Sequence, residues 1–270
     1  MSRSPAVAGR FYPGEQDVLK DTVTELLENY NPPKIENCIA VVSPHAGYVY
    51  SGTVCAQTLK SITIPETVVV LGPNHQGRGA SIALSTQDWD MPTGKVPVNR
   101  DFSEQLLQAN PEVTADESAH QYEHSLEVQV PFLQVLQDNL SIVPLALSQL
   151  SYLECENLAN SLADTISQYG KPVLMLASSD MSHFESRENT VKKDTLALEQ
   201  LTALNPKGLF QTVRGNRISM CGVIPVTVVL LAALRLGANK AEVIRYIDSG
   251  EVSGDTDQVV GYAGAVISRG

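Results

Sequence analysis

The stretch Thr67–Gly77 reads TVVVLGPNHQG, and it decides the fold. Its first five residues form a short, β-branched apolar run that ends at Gly72-Pro73, as is typical of a strand buried on both faces. Such strands usually belong to parallel sheets that are covered by helices. His75 would then follow the carboxyl end of the strand, where open α/β sheets bind their ligands.

The same pattern occurs twice more in the chain. Residues 38–42, CIAVV, lead into Ser-Pro-His45, and residues 172–177, PVLMLA, lead into SSDMSH, which carries Asp180 and His183. Three of the five histidines therefore follow predicted strands. Because parallel strands end at one edge of a sheet, we expect these three imidazoles to converge.

The rest of the chain alternates between helical and strand patterns. About seven strands are expected, and no Pro/Ser-rich linker and no repeat of fixed period interrupts them. This alternation predicts a single domain of the α/β class over residues 1–270, with a largely parallel central sheet flanked by helices.

Composition excludes several classes of protein. The 270 residues are 43% hydrophobic and carry a net charge of −11, which argues against a nucleic-acid binder and against docking on an anionic membrane. There is no signal-peptide pattern and no apolar stretch long enough to span a bilayer. The four cysteines form no CxxC pair, so reduced thiols and a cytoplasmic location are expected.

His45 and His75 are the first candidates for metal ligands. Neutral imidazoles are the commonest protein ligands for transition metals, and these two have matching environments. The alternative is that each histidine caps local backbone groups. A third ligand is needed, and the residues alone leave it open among His183, Asp180, His124, Glu127 and Cys221.

Cys221 lies in a loop before a predicted helix. There the helix dipole would favour the thiolate, which is the form of cysteine that binds metal. A small buried apolar side chain is the alternative interpretation.

Asp180 and His183 form a second group of candidates. A carboxylate three residues before a histidine could orient the imidazole or a metal-bound water, with His183 as general acid and base. Asp180 could instead cap a helix. A serine hydrolase built on Ser178 or Ser179 is conceivable, but it would leave the other two strand-end histidines unexplained.

His124 and Glu127 are also three residues apart, on a helix predicted to begin at Glu123. That spacing would turn both side chains towards one pocket. Simple surface exposure is the alternative for this pair.

Six motifs carry a family resemblance. In chain order they are AVAGRFYP, SPHAGYVYSG, GPNHQG, EHSLEVQVPFL, SSDMSH and SMCG, within residues 6–222, and the SGDTDQVVGYAGA tail also fits. Together they resemble the Memo family, known in microbes as the AmmeMemoRadiSam system protein B.

The resemblance implies a fold similar to that of the class III extradiol ring-cleaving dioxygenases, which hold a non-haem Fe(II) with two histidines and a glutamate. By resemblance, His45 and His75 match the two histidines, and Cys221 matches the position where Memo proteins carry cysteine. Asp180 and His183 match a further pair that lines the pocket, with His183 as the acid/base.

The same motifs suggest which other residues line the pocket and which metal ion it binds. Tyr50, Asn74 and Glu127 are expected at the substrate pocket, and His124 is expected to assist proton transfer. A thiolate is a softer ligand than the carboxylate of the dioxygenases, so the resemblance does not imply that this protein cleaves catechols. One metal ion is expected. Fe(II) is the first choice, and copper and zinc are the alternatives.

The function expected from the resemblance is therefore that of a dioxygenase-like iron or copper redox enzyme acting on an unknown small substrate. One alternative is a non-catalytic protein that binds a phosphopeptide or a protein partner in the same pocket. A weaker alternative is a zinc-dependent hydrolase. The resemblance also implies a functional link to radical SAM and AMMECR-type proteins.

Overall fold

The computed structural model describes residues 2–270 and contains the following elements. The strands are β1 Ser2–Arg3, β2 Cys38–Ser43, β3 Thr67–Pro73, β4 Ile82–Leu84, β5 Asp88–Met91, β6 Gly94–Val96, β7 Thr114–Ala115, β8 Ser141–Leu147, β9 Val173–Ser178, β10 His183–Glu185, β11 Lys240–Asp248 and β12 Val259–Ser268. The helices are α1 Gln16–Glu28, α2 Tyr48–Lys60, α3 Arg100–Ala109, α4 Val130–Leu136, α5 Tyr152–Tyr169, α6 Arg187–Thr202, α7 Pro206–Gly215, α8 Val223–Arg235 and α9 Gly250–Ser253.

One mixed sheet organises the molecule. Within residues 2–270 it has nine strands in the order β10-β12-β2-β9-β3-β8-β4-β7, with β11 paired to β12. The central four, β2, β9, β3 and β8, are parallel, whereas β12, β11, β10 and β4 join through antiparallel pairs. The predicted α/β class is confirmed, and the parallel part of the sheet is its centre.

Strand β3 shows why the centre is parallel. All seven of its residues are buried, and its side chains alternate between the two faces. Val69 and Leu71 pack in the core beneath α3, α5 and α8, whereas Val68 and Val70 pack in the core beneath α1, α2 and α4. A strand with two apolar faces needs helices on both sides of the sheet.

The N-terminal arm, residues 2–13, is ordered against the rest of the chain. Its β1 pairs in parallel with β5, and β5 pairs with β6 to complete a small three-stranded sheet. Val7 and Tyr12 are buried in the core on the α1 side. The arm is therefore part of the folded body.

One predicted helix begins later than expected. The segment that starts at Glu123 forms a short 3₁₀ turn at Glu127–Gln129, and α4 begins only at Val130. Pro131 lies in the first turn of α4, where its missing N–H costs nothing. His124 and Glu127 therefore do not share the face of an α-helix.

The carboxyl ends of β2, β3 and β9 lie side by side in the sheet. His45 follows β2, His75 follows β3, and Asp180 follows β9. Within residues 2–270, no helix is both long enough and apolar enough to cross a membrane.

Candidate metal centre

His45, His75 and Cys221 meet at this edge of the sheet. A nitrogen of each imidazole and the Cys221 sulfur all lie within 4.8 Å of one another. Cys221 Sγ is 3.2 Å from His45 Nε2, and the two imidazole centroids are 5.3 Å apart. The structure thus brings together residues that are up to 176 positions apart in the chain.

The orientation of His45 is fixed from behind by Ser178. His45 Nδ1 is 2.9 Å from Ser178 Oγ, which donates its own proton to the Ser125 carbonyl at 2.6 Å. Gln129 also donates to Ser178 Oγ. Since the hydroxyl proton is committed, His45 Nδ1 carries a proton and Nε2 presents a lone pair to Cys221. Because the Ser178 hydroxyl proton is donated to the Ser125 carbonyl, Ser178 is not arranged as the nucleophile of a serine hydrolase.

His75 is fixed by a carboxylate. Its Nδ1 lies 2.9 Å from Glu123 Oε1, and its backbone N–H donates to Glu123 Oε2 at 2.6 Å. An ionised carboxylate only accepts, so His75 Nδ1 is the donor, and in the neutral form of the ring Nε2 carries the lone pair. This is the carboxylate–histidine arrangement that usually orients metal-binding imidazoles.

Glu123 is suited to that task by its charge. The side chain is buried, and burial alone would raise its pKa. Hydrogen bonds from His75 and from the Ser125 backbone outweigh burial and lower the pKa of Glu123 to about 2. Glu123 is therefore an anion throughout the physiological range.

Cys221 is positioned by the close approach of two loops. A Cβ on the neighbouring Gly222 would lie 2.3 Å from Ser179 Cβ, so only glycine permits this contact. The Asp180 backbone N–H donates to Cys221 Sγ at 3.3 Å. Burial and the charge of Asp180 raise the pKa of the thiol, contrary to the expectation from the α8 dipole. A bound cation, which displaces the thiol proton, would be needed to ionise it.

These three donors fit a transition metal. A nitrogen of each imidazole and the sulfur lie close enough together to share one ion, and each imidazole is held through Nδ1. Nitrogen and sulfur donors suit iron, copper and zinc better than magnesium or calcium.

Asp180 lies beneath the site. Its carboxylate accepts the His45 backbone N–H at 2.7 Å, so it holds the β2 loop in place. Burial raises the pKa of Asp180 to about 6. The helix-capping alternative for Asp180 is wrong, because β10 follows it and Ser186 caps α6.

His183 lies at the partly exposed rim. Its Nδ1 is 2.9 Å from the Ser219 carbonyl, and its backbone N–H donates to Ser219 Oγ. A carbonyl only accepts, so the neutral ring carries its proton on Nδ1 and leaves Nε2 free to accept one. Phe184 follows at a β-bulge against β12, with φ of +57° and 71% of its surface exposed.

His124 is the third imidazole of the cluster. Its ring stacks on His75 at 4.7 Å between centroids and meets His45 edge-on at 5.5 Å. Phe11 of the arm packs on it at 4.9 Å. Burial lowers the pKa of His124, so the ring is neutral at physiological pH.

Glu127 differs from the expectation that it lines the substrate pocket. It is fully buried, and its carboxylate accepts hydrogen bonds from Arg3, Ala6, Val7 and Tyr12 of the arm. The physical reason is the late start of α4, which turns Glu127 under the arm.

The other two residues expected at the pocket, Tyr50 and Asn74, lie on segments that adjoin His45 and His75 in the chain. Tyr50 is on the first turn of α2 and is 40% exposed. Asn74 uses its amide nitrogen to hold the Arg78 carbonyl and Ser148 Oγ, and so shapes the loop that carries His75.

Sequence reasoning missed Glu123 and Ser178 as partners of the two histidines. Metal-bound imidazoles usually donate to a carboxylate or carbonyl, which is a reason to look for an acid near His75. Glu123 is 48 residues away, however, and no local pattern connects the two. Its position immediately before His124 was the only available signal.

Comparison with known proteins identifies the family of this chain. The model of the family described as Memo-like protein matches residues 3–266. MEMO1 family proteins from Methanopyrus kandleri, Sulfurisphaera tokodaii and Aquifex aeolicus are 37%, 39% and 38% identical, and the matches cover 97–100% of this chain and 98–100% of theirs. Among solved structures, uncharacterized protein JW3007 from Escherichia coli K12 has a similar fold. The TM-score is 0.56 at 13% identity, covering 85% of this chain and 99% of that one.

Proposed function

The chain belongs to the Memo family, and we propose that it is a metalloprotein whose His45, His75 and Cys221 hold one redox-active metal ion, Fe(II) first and copper second. The observation that carries the proposal is that one nitrogen of each imidazole and the Cys221 sulfur lie within 4.8 Å of one another. Neither imidazole is free to rotate, because each is held through Nδ1.

The metal would supply one-electron and oxygen chemistry to a small substrate, which makes a dioxygenase-like oxidoreductase the best-supported class. The protein's part is to place protons. His183 has Nδ1 committed to Ser219, so its Nε2 is the atom that accepts or returns a substrate proton. His124 would be a second proton carrier, and its stacking on His75 and its lowered pKa support that role.

Asp180 supports this arrangement from below. With a pKa raised to about 6 by burial, it can gain or lose a proton near neutral pH while still accepting the His45 backbone N–H. Tyr50 and Asn74 are proposed to border the substrate at the rim.

Metal analysis tests the proposal. Protein purified anaerobically without a metal-binding tag is analysed beside His45→Ala, Cys221→Ser and the control Cys38→Ser, whose partly buried sulfur donates to the Ala40 carbonyl. We expect near-stoichiometric iron or copper in the parent and in the control, and its loss from the other two variants, with all four proteins folded by circular dichroism.

Other outcomes separate the alternatives. Stoichiometric zinc would favour hydrolysis over redox chemistry. A folded parent that takes up no metal, even after anaerobic reconstitution, would overturn the proposal and favour the binding of a phosphopeptide or protein partner in the same pocket.

Three further parts of the proposal concern the domain organisation, the location and the partners of the protein. A single domain over residues 1–270 is supported by the one central sheet and by a family match over residues 3–266. A cytoplasmic location is supported by the four cysteines, all free within residues 2–270. The link to radical SAM and AMMECR-type proteins rests on the family resemblance, and co-purification with such partners would test it.

A further inference from the structure

The arm crosses the segment 120–127, which carries Glu123 and His124. Arg3 is 6% exposed, and its guanidinium donates to three groups of that segment. The acceptors are the His120 carbonyl, the Glu123 carbonyl and Glu127 Oε2, each at 2.7 Å. The guanidinium also lies 4.2 Å from the centre of the Trp89 ring, which fixes its plane.

Glu127 completes the connection. Besides Arg3, its carboxylate accepts the Ala6 N–H at 2.7 Å, the Val7 N–H at 3.0 Å and the Tyr12 hydroxyl at 2.5 Å. A buried charge is tolerated only when it is paired and hydrogen-bonded, and this one is both. The arm and the segment 120–127 are therefore held as one unit.

This unit ends at the metal centre. Arg3 holds the backbone carbonyl of Glu123, and the side chain of the same residue accepts both the backbone N–H and Nδ1 of His75. A small rotation of the Glu123 backbone would move the carboxylate that sets the direction of His75 Nε2.

We propose that Arg3 is a positioning residue of the metal centre, which acts by holding Glu123 in the place where its carboxylate orients His75. The inference rests on the proposed binding of metal by His75. It assigns the arm a role in the site although no arm residue supplies a donor to the three-ligand set.

A purely structural role for Arg3 would give different results. Breaking a buried ion pair lowers stability wherever it lies. A positioning role requires in addition that the effect on metal affinity pass through Glu123, so that the two substitutions do not add.

The experiment is an anaerobic titration of metal-free protein with Co²⁺, followed by the absorption of the thiolate-bound ion. The variants are Arg3→Lys, Arg3→Met, Glu123→Gln and the double variant R3K/E123Q. Arg3→Lys retains the charge opposite Glu127 but offers a single nitrogen where Arg3 donates from Nε, Nη1 and Nη2, and it keeps the test valid if Arg3→Met does not fold. Ser2→Ala is the control, because Ser2 is in the same strand and donates to Asp90, outside the segment 120–127.

We expect Arg3→Lys to weaken Co²⁺ binding by about 10-fold, at the lower end of the roughly 10–100-fold losses seen when partners of metal ligands are changed. Glu123→Gln should weaken Co²⁺ binding by at least the same factor, and R3K/E123Q should bind Co²⁺ no more weakly than Glu123→Gln alone. The Co²⁺ absorption bands of Arg3→Lys should shift towards those of Glu123→Gln, whereas Ser2→Ala should match the parent.

Two results would overturn the inference alone: a Kd for Arg3→Lys within twofold of the parent, or losses that multiply in the double variant. A parent protein that binds no Co²⁺ would overturn the proposed metal site and this inference together.

Discussion

The two sides of the candidate site hold their carboxylates in opposite ways. On the Glu123 side, hydrogen bonds from His75 and Ser125 outweigh burial and lower the pKa to about 2. On the Asp180 side, burial dominates and raises the pKa to about 6, although the His45 N–H donates to the carboxylate.

This difference separates two tasks that a metal site requires. Glu123 keeps a permanent negative charge behind His75 and so orients the ligand and strengthens its basicity. Asp180, with its pKa raised to about 6, can exchange a proton near neutral pH, whereas Cys221 keeps its proton in the metal-free protein and would need a cation to lose it. Environments that push two carboxyl pKa values apart commonly mark a division of acid and base roles.

The largest expected effect is on the Glu123 side. A pKa lowered from 4.5 to about 2 contributes roughly 3 kcal/mol of stability above pH 4.5, and this contribution is lost as the pH falls through about 2. Glu123→Gln should therefore unfold more easily than the parent at pH 7, by about 3 kcal/mol in urea titrations of metal-free protein. The difference in unfolding free energy between the parent and Glu123→Gln should be smaller at pH 3. A difference that stays constant with pH would contradict this account.

Asp180→Asn should change the stability of the protein in the opposite direction to Glu123→Gln. A carboxyl pKa raised from 3.8 to about 6 makes the folded state bind more protons between those values, so stability falls as the pH rises through this window. The metal-free variant should be more stable than the parent at pH 7.5, by roughly 2–3 kcal/mol, and equal to it below pH 3.8. Denaturant midpoints at both pH values would check it, and a variant that is less stable at pH 7.5 would refute the assignment.

The partners of the two histidines should differ in how much they matter for metal binding. Ser178 gives His45 a neutral hydrogen bond, whereas Glu123 gives His75 a charged one, and charge-assisted bonds are about twice as strong. Ser178→Ala should thus weaken Co²⁺ binding by about 10-fold, less than Glu123→Gln does. Equal losses in parallel titrations would mean that charge is not what distinguishes the two partners.

The smallest effect concerns backbone strain on the Asp180 side. Phe184 has φ of +57° while most of its ring is in solvent, so the left-handed conformation costs energy and little burial offsets it. Phe184→Gly should stabilise the metal-free protein by about 0.5–1 kcal/mol, and Phe184→Ala should not. Thermal unfolding of the pair would test this, and destabilisation by glycine would show that the ring makes contacts of its own.

Local patterns were enough to predict the edge of the sheet where the site lies. The apolar runs before His45, His75 and Asp180 are strands, and their carboxyl ends are adjacent because β2, β9 and β3 are parallel neighbours. The choice of Cys221 as the third candidate ligand came from the family resemblance, since the residues alone left five possibilities open.

The contacts that orient the candidate ligands could not be predicted. Glu123 is 48 residues from His75, and Arg3 is 124 residues from Glu127, so no periodic pattern relates them. The i, i+3 spacing of His124 and Glu127 misled because the chain there is a 3₁₀ turn, and α4 starts at Val130. Helical periodicity is informative only where the helix has begun.

The connection between Arg3 and Glu127 also orders events during synthesis. The ribosome makes the arm first, yet the groups that Arg3 holds appear 117 to 124 residues later, and Cys221 comes 176 residues after His45. A nascent chain that has reached Glu127 contains the arm, His45, His75 and Glu123, but neither Ser178, which holds His45, nor Cys221. All three candidate donors are therefore present only after Cys221 has been made.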